Sequence, residues 1–174
     1  MENRALAVLE ERRSVRAYRP TQLDEETLAA ILRAGTFAPT GRGRQSPVMV
    51  VVQDEKTRET LRRMNAEIMG TPDTDPFYGA PTIVVVLADA DIPTYFEDGC
   101  LVMGNLLNAA YAVGVDSCWI HRAREEFASD EGKQLLEKWG IHGNYVGIGH
   151  CILGYREGEL PPPRPRKDGY IVRV

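Results

Sequence analysis

Arg12, Arg13, Arg16 and Arg19 fall within the stretch "ERRSVRAYR" of a 174-residue chain whose net charge is −4. Positive charge this concentrated suits an anion. A phosphate monoester brings nearly two negative charges and several acceptor oxygens, and charge-assisted hydrogen bonds contribute about 1.5 to 3 kcal/mol each. Ser14 adds a hydroxyl donor. The plainer alternative is a solvated helix end, where arginines complement the macrodipole for roughly 0.3 to 1 kcal/mol each. Spacing weighs toward the anion. Positions four after Val8 and Leu9 are Arg12 and Arg13, so the arginines continue the stripe that the apolar residues turn inward. If the helix ran on, Arg12 and Arg16 would sit about 6 Å apart and repel by roughly 3 kcal/mol at an effective dielectric near 20.

Two other segments suit the same purpose. "FAPTGRGRQSP" at 37–47 joins a helix to a strand and carries two glycines, which let a backbone come close to a flat ligand; it also reads as an ordinary connector. "PPPRPRK" at 161–167 displays Arg164 and Arg166 on a stiff arm, or forms a basic tail. His121, His142 and His150 are too dispersed for metal-ligand spacing, so no metal site is expected; His150 alternates with apolar neighbours and suits packing. Cys100, Cys118 and Cys151 lie in apolar surroundings, which suggests free thiols in a cytoplasmic protein. No nucleophile has an evident base, and "GIGHCILG" spaces its glycines wrongly for dinucleotide binding.

The elements that must position these groups alternate along the chain. Helical spacing covers 5–13 through Ala5, Val8 and Leu9, and a second helix capped by Asp24 carries Leu28, Ile31 and Leu32 until Gly35 and Pro39 stop it. Strands are expected at "PVMVVVQ", "PTIVVVLAD", "VDSCWI" and "YVGIGHCILGY", with helices over 55–69 and 131–139. The segment 94–113 is apolar nearly all round and reads as a central buried helix, and "GYIVRV" reads as a final edge strand. A hydrophobic share of 43% suits one domain over 1–174. Neither a signal peptide nor a membrane span is expected, and the acidic balance disfavours nucleic acid.

In this order, "RRSVRAYRP", "AGTFAPTGRGRQSPVMVVV", "PFYGAPTIVVVLAD", "GVDSCWIHRAREEF", "GIGHCILGY" and "PRPRK" resemble the nitroreductase family of FMN-dependent oxidoreductases over nearly the whole chain. The resemblance implies an α+β fold, a three-layer α/β/α sandwich around a mixed, largely antiparallel sheet. It also implies a homodimer with an exchanged C-terminal arm and FMN at the subunit interface. Arg12, Ser14 and Arg16 match the family's R-x-S-x-R/K pattern, with Arg13 beside them, and would reach the flavin's phosphate, ribityl chain or pyrimidine edge. Pro39, Thr40, Gly41 and Gln45 match its "APS" loop, although the usual Asn falls on Gly43 and the following aromatic on Pro47. Asn65 corresponds to a family Asn that bonds the flavin. Ile120, His121 and Arg122 match the turn whose backbone N–H faces the flavin N5, and Arg164 and Arg166 match a second phosphate clamp.

By the same resemblance NADH or NADPH supplies electrons, an electron-poor acceptor takes them in a ping-pong reaction, and Arg16 stabilises charge on the flavin ring. No protein acid or base is required. A flavin protein for storage, sensing or partner-dependent redox is the alternative, and a phosphate-binding module for nucleic acid or phosphoprotein is a third class.

Overall fold

The computed structural model describes residues 3–174. β2 (Thr82–Asp89) sets the architecture, because seven of its eight residues are buried. Ile83, Val85 and Leu87 point into one apolar cluster, and Val84, Val86 and Ala88 into another. A strand apolar on both faces requires cover on both. α3 (Glu55–Met69), α5 (Ala123–Ala128) and α6 (Asp130–Lys138) contribute to the first cluster, through Leu61, Ala123, Phe127 and Leu136. α2 (Glu25–Thr36) and α4 (Tyr95–Ala112) contribute to the second, through Leu28, Ile31, Met103 and Leu106. The result is an α/β/α sandwich.

The sheet runs β1 (Pro47–Val52), β2, β4 (Tyr145–Gly154), β3 (Asp116–Ile120), and all three strand pairings are antiparallel. Its parallel component is an isolated bridge between Ser14 and Ser117. α3 begins at Asp54, whose carboxylate accepts from Thr57 N at 2.8 Å, and ends at Gly70 in the left-handed conformation. Among the described residues no helix is long and apolar enough to cross a membrane.

Three sequence expectations are corrected. α1 (Arg4–Glu11) ends before the arginines, so they do not continue a helical stripe. Its expected anchors are also uncovered in a single chain: Ala5 and Leu9 are exposed and Val8 is half-buried. The segment 169–174 forms no strand, and Ile171 and Val172 are 78% and 79% exposed, because no sheet edge of the same chain pairs with it. α4 is buried on one face only, through Asp98, Val102, Met103, Leu106 and Ala110, while Phe96 and Leu101 stand exposed.

The feature that most directly places the site is the seating of α5 on β4. A Cβ built on Gly147 would lie 2.1 Å from the Ala123 carbonyl oxygen, and one on Gly149 would lie 2.2 Å from Trp119 Nε1. The first contact is with backbone, which no rotamer change relieves. Gly147→Ala should therefore lower unfolding free energy by about 3 kcal/mol in a urea titration. A change within about 0.5 kcal/mol would show that α5 is not held by this approach.

Candidate functional site

The arginine segment is extended. Arg12 has φ −53° and ψ 138°, Val15 N donates to the Ser117 carbonyl at 3.1 Å, and Arg19 N donates to the Tyr155 carbonyl at 2.8 Å. In extended chain, positions two apart share a side. Val15 is buried, while Arg12, Ser14 and Arg16 are partly or fully exposed; the alternation ends there, because Arg16 and Ala17 are both exposed and Tyr18 turns inward. The R-x-S-x-R spacing is thus a strand-like spacing beside β3. These three groups also converge electrically on Cys118: burial pushes its thiol up, and Arg16, Ser14 and Arg12 draw it back. Cys151 is raised by burial as well, so both stay protonated near neutrality and neither serves as a thiolate nucleophile.

Arg13 plays the helix-end role. Its Nη1 donates to the Glu10 carbonyl at 2.7 Å and the Arg12 carbonyl at 2.8 Å, satisfying carbonyls at the end of α1. Two donors of this segment, Arg12 Nη1 and Arg13 Nε, nevertheless remain buried without a partner among the described residues, as does Arg58 Nε on α3. An acceptor-rich anion is the group such donors fit.

The far end of β3 leads into the turn at 120–122. Arg122 has φ +77°, a left-handed conformation unusual for a residue with a Cβ, and Glu126 N donates to its carbonyl at 3.0 Å. Asn65, fully buried on α3, holds this turn. Its Nδ2 donates to the His121 carbonyl at 2.9 Å and to Glu126 Oε1, and its Oδ1 accepts from Arg122 Nε at 2.8 Å. Glu126 Oε2 lies 3.0 Å from His150 Nε2, out of line for a hydrogen bond. The Phe77 ring stands edge-on to His150 at a centroid distance of 5.2 Å. The turn lines a cavity of about 140 Å³ with Phe96, Trp119 and Gly147, and the His121 side chain is exposed there.

The loop at 39–45 is organised by a residue that the sequence reading passed over. Asp98 is 2% exposed, and its carboxylate accepts from Gly41 N at 2.8 Å, Ser46 Oγ at 2.8 Å and Thr94 Oγ1 at 3.1 Å. Gln45 N donates to Thr40 Oγ1 at 3.0 Å, while Arg42 and Gln45 have φ +55° and +51°. Gly41 lacks room for a side chain because a Cβ would lie 2.2 Å from Thr94 Oγ1, so its need for glycine is internal packing. Pro39, Arg42, Arg44 and Gln45 are exposed.

These groups are only partly united. Arg12, Ser14 and Arg16 lie beside β3, and Ile120, His121, Arg122 and Asn65 gather where β3 ends. Among the described residues, no hydrogen bond or ion pair joins the 12–16 segment to the 39–45 loop. That loop borders its own cavity of about 260 Å³, with Ile92, Pro93 and Thr94. Arg164 and Arg166 are exposed on the arm, apart from both groups in their hydrogen bonding.

Comparison with known proteins identifies the family. Residues 9–155 match the model of the Nitroreductase family, and the chain belongs to that family. A protein of Archaeoglobus fulgidus, provisionally named NADH dehydrogenase/NAD(P)H nitroreductase, is 31% identical over 95% of this chain and 88% of its own length. Among solved structures, a nitroreductase with bound FMN from Bacteroides fragilis has a TM-score of 0.89 and 29% identity, covering 99% of this chain and 100% of that one. Another with bound FMN, from Desulfitobacterium hafniense, has a TM-score of 0.88 and 26% identity, covering 100% of both chains.

The buried carboxylate of the loop gives a direct test. Asp98→Leu leaves a backbone N–H and two hydroxyls without their acceptor, and should cost about 2 to 4 kcal/mol of stability while speeding tryptic cleavage at Arg42 and Arg44. Asp98→Asn can still accept from Gly41, with the hydroxyls of Ser46 and Thr94 turning to accept, and should cost less than about 1.5 kcal/mol. Equal cleavage in wild type and Asp98→Leu would show that the loop is held by something else.

Proposed function

We propose that the chain is an FMN-dependent oxidoreductase that takes electrons from NADH or NADPH and passes them by a ping-pong exchange to an electron-poor acceptor such as a quinone or nitro compound. The observation that carries this reading is the line of Arg12, Ser14 and Arg16 along one side of an extended segment, with the Arg12 Nη1 and Arg13 Nε donors buried and unpartnered behind it. FMN fits those donors through its phosphate, and the bound FMN of the Bacteroides fragilis and Desulfitobacterium hafniense relatives supports the choice. Bound flavin supplies the two-electron chemistry, accepting from a nicotinamide and donating to the acceptor.

The chain's own residues bind and orient. Arg12 and Ser14 hold the phosphate end, with Arg164 and Arg166 as a second clamp. Arg16 brings positive charge toward the ring, where it stabilises the negative charge of reduction. The 120–122 turn offers a backbone N–H in a fixed position. No carboxylate or imidazole needs to move a proton for a quinone or nitro acceptor.

The functional unit is a homodimer in which the 39–45 loop of one chain completes the site of the other. Supporting this, the loop is pinned to α4 rather than to the arginine segment, and apolar surface is uncovered around it. Phe37 is 73% exposed and lines a groove of about 670 Å³ with Ala29, Ala30, Arg33, Ala34 and Asn105, and Leu101, one turn before Asn105 on α4, is 46% exposed. The exposed "YIVRV" end of the arm is suited to pair with the second chain's sheet edge.

Anaerobic titration tests the reading. The purified protein should be yellow, bleach on addition of NADH or NADPH and recover colour with a quinone. Flavin that stays oxidised with both nucleotides would reject the oxidoreductase in favour of storage or sensing. Arg12→Ala should weaken FMN binding by about 10- to 100-fold, the loss of one or two charge-assisted bonds, with unchanged circular dichroism. Unaltered affinity would remove Arg12 from the phosphate site.

A further inference from the structure

The resemblance gives Asn65 a direct bond to the flavin, but its carboxamide is already committed. Both Nδ2 protons are used, one on the His121 carbonyl and one on Glu126, and Oδ1 accepts from Arg122 Nε. Asn65 and Glu126 are each 0% exposed, so neither presents an atom to a ligand. Glu126 N in turn donates to the Arg122 carbonyl at 3.0 Å, which closes a ring of bonds running from Arg122 to Asn65 to Glu126 and back. At the centre of that ring is Arg122, whose φ of +77° would relax toward ordinary values without restraint.

Glu126 gives the ring its direction. A carboxylate only accepts, so Asn65 must turn its amide nitrogen toward Glu126 and the His121 carbonyl, and its oxygen toward Arg122. A flipped amide would set donor against donor at Arg122 and acceptor against acceptor at the other two positions. The buried Glu126, the His121 carbonyl and the Arg122 Nε–H therefore all hold the clamp facing one way, and the clamp determines the shape of the turn lining the 140 Å³ cavity.

We propose that Asn65, oriented by Glu126, is a positioning residue: it acts on the redox site through the 120–122 turn and does not touch the flavin. The proposal rests on the FMN reading above for its consequence, though the clamp itself belongs to the protein with or without flavin. A left-handed residue costs little when it is glycine, so Arg122→Gly should remove the need for the clamp.

The experiment compares wild type, Asn65→Ala, Arg122→Ala and the double variant Asn65→Ala/Arg122→Gly. Hydrogen exchange of the amides at 120–123 is read first, on flavin-free protein. Asn65→Ala should exchange about tenfold faster there, with other segments unchanged. Arg122→Ala, which leaves the core intact, should move the same amides in the same direction and keeps the test open if Asn65→Ala fails to fold. With FMN added, the dissociation constant should stay within about threefold, because the phosphate groups are untouched, while reduction by NADPH slows about tenfold. The visible band of bound flavin should shift toward that of free FMN, and the double variant should return band and rate toward wild type. Unchanged exchange at 120–123 would overturn the clamp. An FMN affinity at least tenfold weaker, with exchange unchanged, would restore Asn65 as a direct flavin ligand. Absence of FMN binding by wild type would defeat the cofactor reading alone, since the exchange measurement needs no flavin.

Discussion

β2 is the constraint from which the rest of the molecule follows. Its side chains from Ile83 to Ala88 are apolar on both faces, so helices must cover both, and a ligand has no access to the sheet's centre. What can bind or react is pushed to strand ends, loops and the outer strand β3. Each candidate group obeys this. The arginine segment runs beside β3, the left-handed turn follows its last residue, and the 39–45 loop precedes β1.

Three of the polar groups that do enter the interior hold those rims in place. Asp98 sits on the buried face of α4 and accepts three bonds that shape the 39–45 loop. Asn65 and Glu126 occupy buried faces of α3 and α5 and shape the turn at 120–122. Such groups are costly when unpaired and rigid when paired, which is why they can transmit position from the core to an exposed loop. The buried Arg12 Nη1 and Arg13 Nε have no acceptor among the described residues. In the function proposed above they are donors for the phosphate.

Much of this was legible in the sequence where local chemistry decides. "PTIVVVLAD" announces a buried strand, and the helical pattern over 55–69 coincides with α3. The resemblance to the nitroreductases found the family that residues 9–155 match. Local pattern failed where a distant partner decides. The helical stripe was extended through Arg12 because nothing nearby shows that Ser14 must meet Ser117. The terminal "YIVRV" has strand character but pairs with no edge of its own chain. Glu126 did leave a signal: with Ala123 and Phe127 it falls at the i, i+3, i+4 phase of a buried face, and a carboxylate there calls for a partner. Asp98 carries the same mark four positions before Val102.

The central claim is that the arginine segment of one chain and the 39–45 loop of another build one site, and mixed dimers test it most directly. Arg12→Ala removes the first element, and Gly41→Val displaces the second through its contact with Thr94. Each variant alone should bind FMN weakly. Unfolded together and reassembled, half the dimers would contain one chain of each kind, and each of those would carry one site with both elements intact. Titration should then find about a quarter of all sites restored to wild-type affinity, as two-fold symmetry requires. If both elements come from the same chain, every site keeps one lesion, and a mixture no better than its parents would contradict the account.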